Sequence, residues 1–216
     1  MINTVIFDLD GTLLNTLEDL TDSVNFAMEK MGVPLHTIEE VRMMVGNSVT
    51  YLIEKALPEG SSAEEINRCI EVFENHYHDN MRNKTAPYDG IIQMLSALKA
   101  KGYKMAVVSN KSDGFTKALV KDFFGEFITQ ATGRSVDIPR KPAPDSVLKT
   151  MSVLGSEKQE TVYVGDSEVD VMTARNAGLP CVGCLWGFRD EATLKAEGAA
   201  AIISEPTKLL ETIEKL

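Results

Sequence analysis

From Tyr88 onward the chain alternates short apolar runs with helical stretches, and this alternation restricts its fold more than any other feature of the sequence. A helix placed between two strands carries the chain back to its starting edge, so successive strands lie parallel and the helices cover the sheet. Apolar runs near residues 105–108, 127–131, 161–164, 180–185 and 200–203 supply the strands. Helices are expected after Asp89-Gly90, over 115–123, after the stiff Lys141-Pro142-Ala143-Pro144-Asp145 turn, over 169–177 and over 209–216. The expected core is an α/β, doubly wound, Rossmann-like parallel sheet.

One further strand precedes this region. Val5-Ile6-Phe7 runs into Asp8-Leu9-Asp10-Gly11-Thr12-Leu13. An apolar core rejects unpaired acids, so Asp8 and Asp10 belong at the mouth of the strand. Their spacing of two puts both carboxylates on one side while strand geometry persists. Like charges held that close require a cation between them or a retained proton. Polar residues also end later strands: Ser109 and Asn110 after one, Asp166 and Asp170 after another. The carboxyl ends of an open parallel sheet share one edge, and ligands bind there where the strand order reverses. Groups far apart in sequence can therefore converge.

Residues 17–83 differ in character and read as helix almost throughout. Leu17, Leu20, Val24, Ala27, Met28 and Met31 recur at helical spacing until Gly32 and Pro34 stop the helix. Further helices are expected over 38–45, over 49–57 after the turn Gly46-Asn47-Ser48, and after Ser61 or Ser62, with Glu64 or Glu65 completing a capping box. No strand pattern interrupts them. The division expected is a core of residues 1–15 and 86–216 with an inserted all-helical cap over 16–85.

The formal net charge of -10 argues against nucleic-acid backbones and anionic membranes as partners. No apolar run approaches the roughly 18 residues of a membrane span, and the amino terminus has no basic-then-apolar leader pattern, so a cytoplasmic location is expected. Cys69, Cys181 and Cys184 are too few and scattered for a disulfide framework. On a strand, the spacing of Cys181 and Cys184 points the thiols to opposite faces, which reads as buried structural cysteine. His76 and His78 do not meet on a helix and read as solvent-facing, and Glu168 as a surface charge.

Taken together, the motifs resemble those of the haloacid dehalogenase superfamily. Asp8-Leu9-Asp10-Gly11-Thr12-Leu13 is similar to its first motif, Ser109-Asn110 to its second, Lys141-Pro142 to its third and Gly165-Asp166-Ser167-Glu168-Val169-Asp170 to its fourth. The helical insertion is similar to the cap of the phosphoglycolate phosphatase-like branch, so the resemblance spans the whole chain. It implies Mg²⁺-dependent hydrolysis of a small phosphorylated metabolite. In that scheme Asp8 is the nucleophile, forming an aspartyl phosphate. Asp10 protonates the leaving oxygen, later deprotonates water, and ligates the metal through its backbone carbonyl. Asp8 and Asp166 are metal ligands and Asp170 steadies the metal shell through water. Ser109 and the Asn110 backbone N–H bind phosphoryl oxygens, and Lys141 balances the charge of Asp8 and the transferring group.

Within the family, Asp10 argues against the dehalogenases themselves. Sugar phosphomutases carry an arginine after the cap glycine, whereas here Gly46-Asn47-Ser48 is followed by Val49. The Val45-Gly46 turn, Ser109-Asn110-Lys111, Lys141-Pro142-Ala143-Pro144 and Trp186-Gly187 are most similar to phosphoglycolate phosphatases, with Asp89 where those carry proline and Ser109 where they carry threonine. Pyrophosphatases and broad sugar-phosphate or nucleotide phosphatases share these motifs. Asn15, Thr16, Asn47 and Ser48 are the candidates for cap-side substrate contacts. A catalytically silent phosphate-ligand binding protein is the reading from another class.

Overall fold

Four consecutive buried residues, Thr4–Phe7, form β1, the strand around which the sheet is built. The computed structural model describes residues 1–216 and divides them into two units, one of Met1–Leu14 with Pro87–Leu216, the other of Asn15–Ala86. The crossings between them, β2 (Leu14–Asn15) and β3 (Ala86–Pro87), pair as a short ribbon. The smaller unit holds four helices: α1 (Leu17–Met31), α2 (Ile38–Met44), α3 (Val49–Ala56) and α4 (Ala63–Asn80).

In α1, Leu17, Leu20, Val24, Ala27 and Met28 are buried, and Gly32, at φ 70, ends the helix in a conformation that side chains disfavour. Capping boxes fix the starts of α2, through Thr37 and Glu40, and α4, through Ser62 and Glu65. His76 departs from its expected exposure. Its ring stacks on Phe26 at 4.2 Å and its Nδ1 meets Ser23 Oγ at 3.0 Å, because the α4 face that carries it packs along α1. His78 is exposed.

A buried acid in the first turn of α1 was not singled out by its sequence. Asp19 is 1% exposed and accepts from the backbone N–H of Lys84 at 3.0 and 3.1 Å and of Thr85 at 2.8 Å. It thereby ties the beginning of the helical unit to its end. Asp19→Ala strands both donors, and charge-assisted bonds of this kind predict a loss of about 2–3 kcal/mol in urea unfolding. A change below about 0.5 kcal/mol would contradict the tie.

In the larger unit, β1 pairs in parallel with β4 (Lys104–Ser112) on one side and with β6 (Thr161–Gly165) on the other. Adding β5 (Gln130–Arg134), β7 (Cys181–Cys184) and β8 (Ala201–Ile203) gives the order β5-β4-β1-β6-β7-β8. The chain builds outward from β1 through β4 and β5, then jumps back to β6, so the order reverses at β1. The helices of this unit are α5 (Ile91–Ala100), α6 (Asp113–Phe124), α7 (Asp145–Leu154), α8 (Glu168–Ala177), α9 (Glu191–Glu197) and α10 (Leu209–Ile213). One face of the sheet buries Ile6, Val108 and Tyr163 against Val147 and Met151 of α7 and Val171, Ala174 and Ala177 of α8. Cys181 joins this cluster, while Cys184 Sγ donates to the Gly165 carbonyl at 3.4 Å; both thiols are free and buried.

Two elements differ from the expected pattern. β5 begins at Gln130 rather than near Phe127, because the N–H groups of Phe127 and Ile128 bond the Phe124 carbonyl and finish the turn after α6. The seven-residue α9 was not expected, since Leu194 is its one buried residue, although Asp190 at its start and Gly198 at its end are recognisable caps. No helix is long and apolar enough to cross a membrane.

Candidate active site

Parallel strands β1, β4 and β6 end at one edge, and the acids, hydroxyl and lysines gather there. β1 stops at Phe7, and the chain then turns so tightly that the Leu9 carbonyl accepts from the N–H groups of Thr12, Leu13 and Leu14. Gly11 supplies the φ of 84 that this turn needs. Strand geometry therefore does not persist to Asp10. Asp8 lies 2.9 Å from Lys141 Nζ, while Asp10 lies 3.0 Å from Lys111 Nζ, so each acid has its own lysine.

β4 contributes through an irregularity. Its register against β5 shifts between Val108 and Ser112, and residues released from a ladder can aim their side chains anew. Ser109 Oγ accepts from the Lys111 N–H at 3.2 Å. The Asn110 side chain accepts from Lys141 N at 2.8 Å and donates to Lys141 O at 3.1 Å, which fixes the backbone of the lysine that meets Asp8.

Lys141 is 2% exposed. Besides Asp8, its ammonium donates to Asp170 Oδ1 at 2.7 Å and to the Tyr163 hydroxyl at 3.1 Å. Asp170 has no open oxygen atom: its Oδ2 accepts from Asp166 N at 3.2 Å, Ser167 N at 3.1 Å and Ser167 Oγ at 2.6 Å. Its carboxylate thus holds both Lys141 and the turn that presents Asp166. Asp166 in turn accepts from Thr12 Oγ1 at 2.9 Å and from the Phe188 N–H at 2.8 Å. A Cβ added at Gly187 would lie 2.3 Å from the Asp166 Cβ and 2.4 Å from the Gly11 carbonyl, so only glycine fits that approach.

Oxygens of Asp8, Asp166 and Asp170 all lie within 4.8 Å of one another. Burial is the main reason that the Asp8 carboxyl is pushed up to about 7, with Asp170 adding to the rise and Lys141 opposing it. Asp166 is raised well above the usual carboxylate range, again by burial first and then by Asp170 and Asp8. Burial works against the charge on Lys141, but Asp170 and Asp8 outweigh it and hold the ammonium well above the ordinary lysine value. Three carboxylates thus face one buried ammonium, leaving an excess of negative charge. The Lys141–Asp8 contact is an ion pair outside hydrogen-bond geometry, so Asp8 Oδ1 is a buried carboxylate oxygen without a donor. That oxygen and the negative excess suit a metal ion bound between Asp8 and Asp166.

The chain matches the family model of haloacid dehalogenase-like hydrolases over residues 5–184. It belongs to that family. It is 32% identical to a phosphoglycolate phosphatase of Aquifex aeolicus over 97% of this chain and 96% of that one. A second phosphoglycolate phosphatase, of Mesorhizobium japonicum, is 30% identical over 98% of this chain and 95% of its own. A crystal structure from Lactobacillus delbrueckii, described provisionally as a phosphoglycolate phosphatase, superposes with a TM-score of 0.92 at 36% identity, covering 98% of both chains.

In this haloacid dehalogenase-like hydrolase, the sequence-selected Asp8, Asp166, Asp170 and Lys141 come together directly, and Asn110 is joined to Lys141. Asn15, Thr16, Asn47 and Ser48 lie in the smaller unit, where local structure accounts for two of them. Asn15 Oδ1 accepts from Leu17 N at 3.3 Å ahead of α1, and Ser48 caps α3 by accepting from Tyr51 N at 3.1 Å. Thr16 is buried and Asn47 half-buried. Sequence reasoning gave no role to Thr12, Lys111, Tyr163, Ser167 or Trp186. Thr12 could have been found from the first motif and Ser167 from the capping box it makes with Asp170, but Tyr163 sits in an ordinary apolar strand. Trp186 Nε1 donates to the Thr12 carbonyl at 2.9 Å, joining the loop after β7 to the loop after β1. Glu168, expected as a surface charge, pairs with the largely buried Arg189 at 2.9 Å, because the loop after β7 folds back over the start of α8.

Proposed function

We propose that this hydrolase is a phosphatase acting on a small phosphate monoester, 2-phosphoglycolate or a near relative, by way of a phosphoryl group carried on Asp8. The observation that carries the reading is the setting of Asp8: a buried carboxylate flanked by one ammonium and two further acids has the charge environment of a nucleophile prepared for a cation and an anionic ester. Full-length similarity to proteins named phosphoglycolate phosphatase supports the substrate class.

The residues divide the work as follows. Asp8 attacks phosphorus and Asp10, on the adjoining turn, gives a proton to the leaving oxygen and later takes one from water. Ser109 and the Asn110 N–H hold phosphoryl oxygens, and Lys141 stabilises the negative charge shared by Asp8 and the transferring group. Asp170 acts through Lys141 and Asp166 rather than on the ester, since its oxygens are occupied by protein donors. A Mg²⁺ ion held by Asp8, the Asp10 carbonyl and Asp166 would neutralise the acids and polarise the phosphoryl group.

The purified protein should release phosphate from 2-phosphoglycolate, lose that activity in EDTA and regain it when Mg²⁺ is restored. The panel also holds pyrophosphate, hexose phosphates and nucleotides. A clear preference for one of these would overturn the substrate assignment, and no release from any would favour a silent phosphate-binding protein.

A further inference from the structure

Trp186 is the one tryptophan of the chain, and the proposed chemistry gives it no part. Its place in the fold does. Asp166 is 1% exposed, and each of its oxygens takes a hydrogen bond from a different segment: Oδ1 from the Thr12 hydroxyl at 2.9 Å and Oδ2 from the Phe188 N–H at 2.8 Å. Thr12 belongs to the turn after β1 and Phe188 to the loop after β7, both beyond the ends of their strands, so no ladder bond sets the distance between these two donors. The indole of Trp186 does. Its Nε1 donates to the Thr12 carbonyl at 2.9 Å, running from two residues before Phe188 to the residue whose hydroxyl holds Asp166.

The two segments meet backbone to backbone at this point. A Cβ on Gly187 would lie 2.4 Å from the Gly11 carbonyl, and one on Gly11 would lie 2.4 Å from Asp166 Oδ2. The ends of the β7 loop are fastened elsewhere, the Leu185 N–H to the Ile203 carbonyl at 3.0 Å and Arg189 to Glu168 at 2.9 Å. Between those fastenings the indole is the side-chain tie to the turn after β1. A buried carboxylate with fixed donors on both oxygens cannot turn without losing one of them. Groups that hydrogen-bond a ligating carboxylate orient it for the metal, and Mg²⁺ tolerates little departure from octahedral placement of its oxygens. Resting on the reading above, in which Asp166 holds Mg²⁺, we infer that Trp186 is a positioning residue for the metal: its indole N–H keeps Thr12 and Phe188 at the separation that fixes the Asp166 carboxylate before the cation arrives. Without that N–H the carbonyl of fully buried Thr12 loses a donor, and the turn and the loop are free to shift apart. Asp166 then leaves the pose that ligates for part of the time, and affinity for the cation falls. In this role Trp186 acts only through Thr12 and Phe188.

The test titrates Mg²⁺ alone into the metal-free protein by isothermal calorimetry, with no substrate present. The Kd should rise about tenfold in Trp186→Phe, which keeps an aromatic ring and loses the donor. It should stay within about threefold of wild type in Trp186→His, whose Nε2–H stands at the same ring position as the indole N–H. A His variant weaker than the Phe variant assigns the effect to packing and overturns the inference. Trp186→Phe combined with Thr12→Val should lose less than the two single losses multiplied, since both act on one carboxylate, and a simple product overturns the inference. Asp19→Ala, which weakens the other unit, should leave the Kd unchanged; an equal rise there would show that affinity follows stability alone, with the same consequence. An unchanged Kd in Trp186→Phe overturns the inference and leaves the metal reading standing, whereas a wild type that binds no Mg²⁺ overturns both. If Trp186→Phe does not fold, the wild type still decides. Coupling is reciprocal, so Mg²⁺ must strengthen the Trp186–Thr12 bond by the same factor that the bond strengthens Mg²⁺ binding. The single indole N–H of the chain should exchange with solvent about tenfold more slowly at saturating Mg²⁺, and an unchanged rate sinks the inference.

Discussion

Asp8→Asn should abolish multiple turnover, lowering kcat by roughly 10⁴-fold or more, while the protein remains folded. The substitution keeps the shape of the side chain and removes the atom that would attack phosphorus, so no other group inherits the step. Its effect on stability has the opposite sign. The carboxyl of Asp8 is pushed from its ordinary value of 3.8 up to about 7 by burial, Asp170 and Asp10, against the pull of Lys141. A carboxyl raised in the folded state binds its proton more tightly there than in the unfolded chain. Stability is therefore lost as pH rises from about 4 to about 7, and the full penalty is present above that window. Asparagine carries no such penalty. Metal-free Asp8→Asn should melt at a higher temperature than wild type, with a larger gain at pH 8 than at pH 5. Measurable multiple turnover above about one per cent of wild type would remove Asp8 as the nucleophile. A lower melting temperature at pH 8 would contradict the electrostatic description of the site.

Lys141→Met should be damaging to both function and fold. The ammonium is 2% exposed and stands between Asp8 and Asp170, at 2.9 and 2.7 Å. Removing one member of a buried charge pair leaves the others uncompensated and typically costs about 3–5 kcal/mol. Here three carboxylates lose their one buried counter-charge, so the metal-free protein should show a loss of that size in urea unfolding. A second substitution tests the origin of the loss. Adding Asp170→Asn to Lys141→Met removes one stranded charge, and the double variant should be more stable than the sum of the single effects predicts, by about 1–3 kcal/mol. Additive losses would show that Lys141 and Asp170 do not act as a unit. On the proposed mechanism, phosphate release should fall with Lys141→Met even where Mg²⁺ restores the fold, because a bound metal would neutralise the acids without replacing the ammonium proposed to stabilise the transferring group.

The parts of this protein that sequence could read are those set by local chemistry. The alternation after Tyr88 implied a parallel sheet because a strand–helix–strand unit has few other solutions, and the sheet order around β1 has that form. Ser61 or Ser62 with Glu64 or Glu65 marked a helix start because a capping box closes within four residues, and the structure settles on Ser62 with Glu65. The shift of β5 to Gln130 was not legible: Phe127 and Ile128 are apolar enough for a strand, and only the packing of α6 assigns their N–H groups to a helix end. Asp19 illustrates the same limit, since an acid in a first helical turn is ordinary until the chain returns with the N–H groups of Lys84 and Thr85.

By itself the sequence determined which chemical groups this hydrolase possesses and the order in which its strands deliver them. Backbone periodicity and capping act over a few residues and leave a local trace, and four acids and a serine were recognisable from their positions at strand ends, Lys141 from the resemblance of Lys141-Pro142 to a family motif. Tertiary structure alone decided the partnerships: Lys141 with Asp8 and Asp170, Lys111 with Asp10, Asn110 with the Lys141 backbone, and Thr12 with Asp166. Most of these join segments far apart in the chain. The register of one strand against another and the end of β1 at Phe7 set their distances, and at a separation of about 3 Å a displacement of one side chain would exchange one charge partner for another.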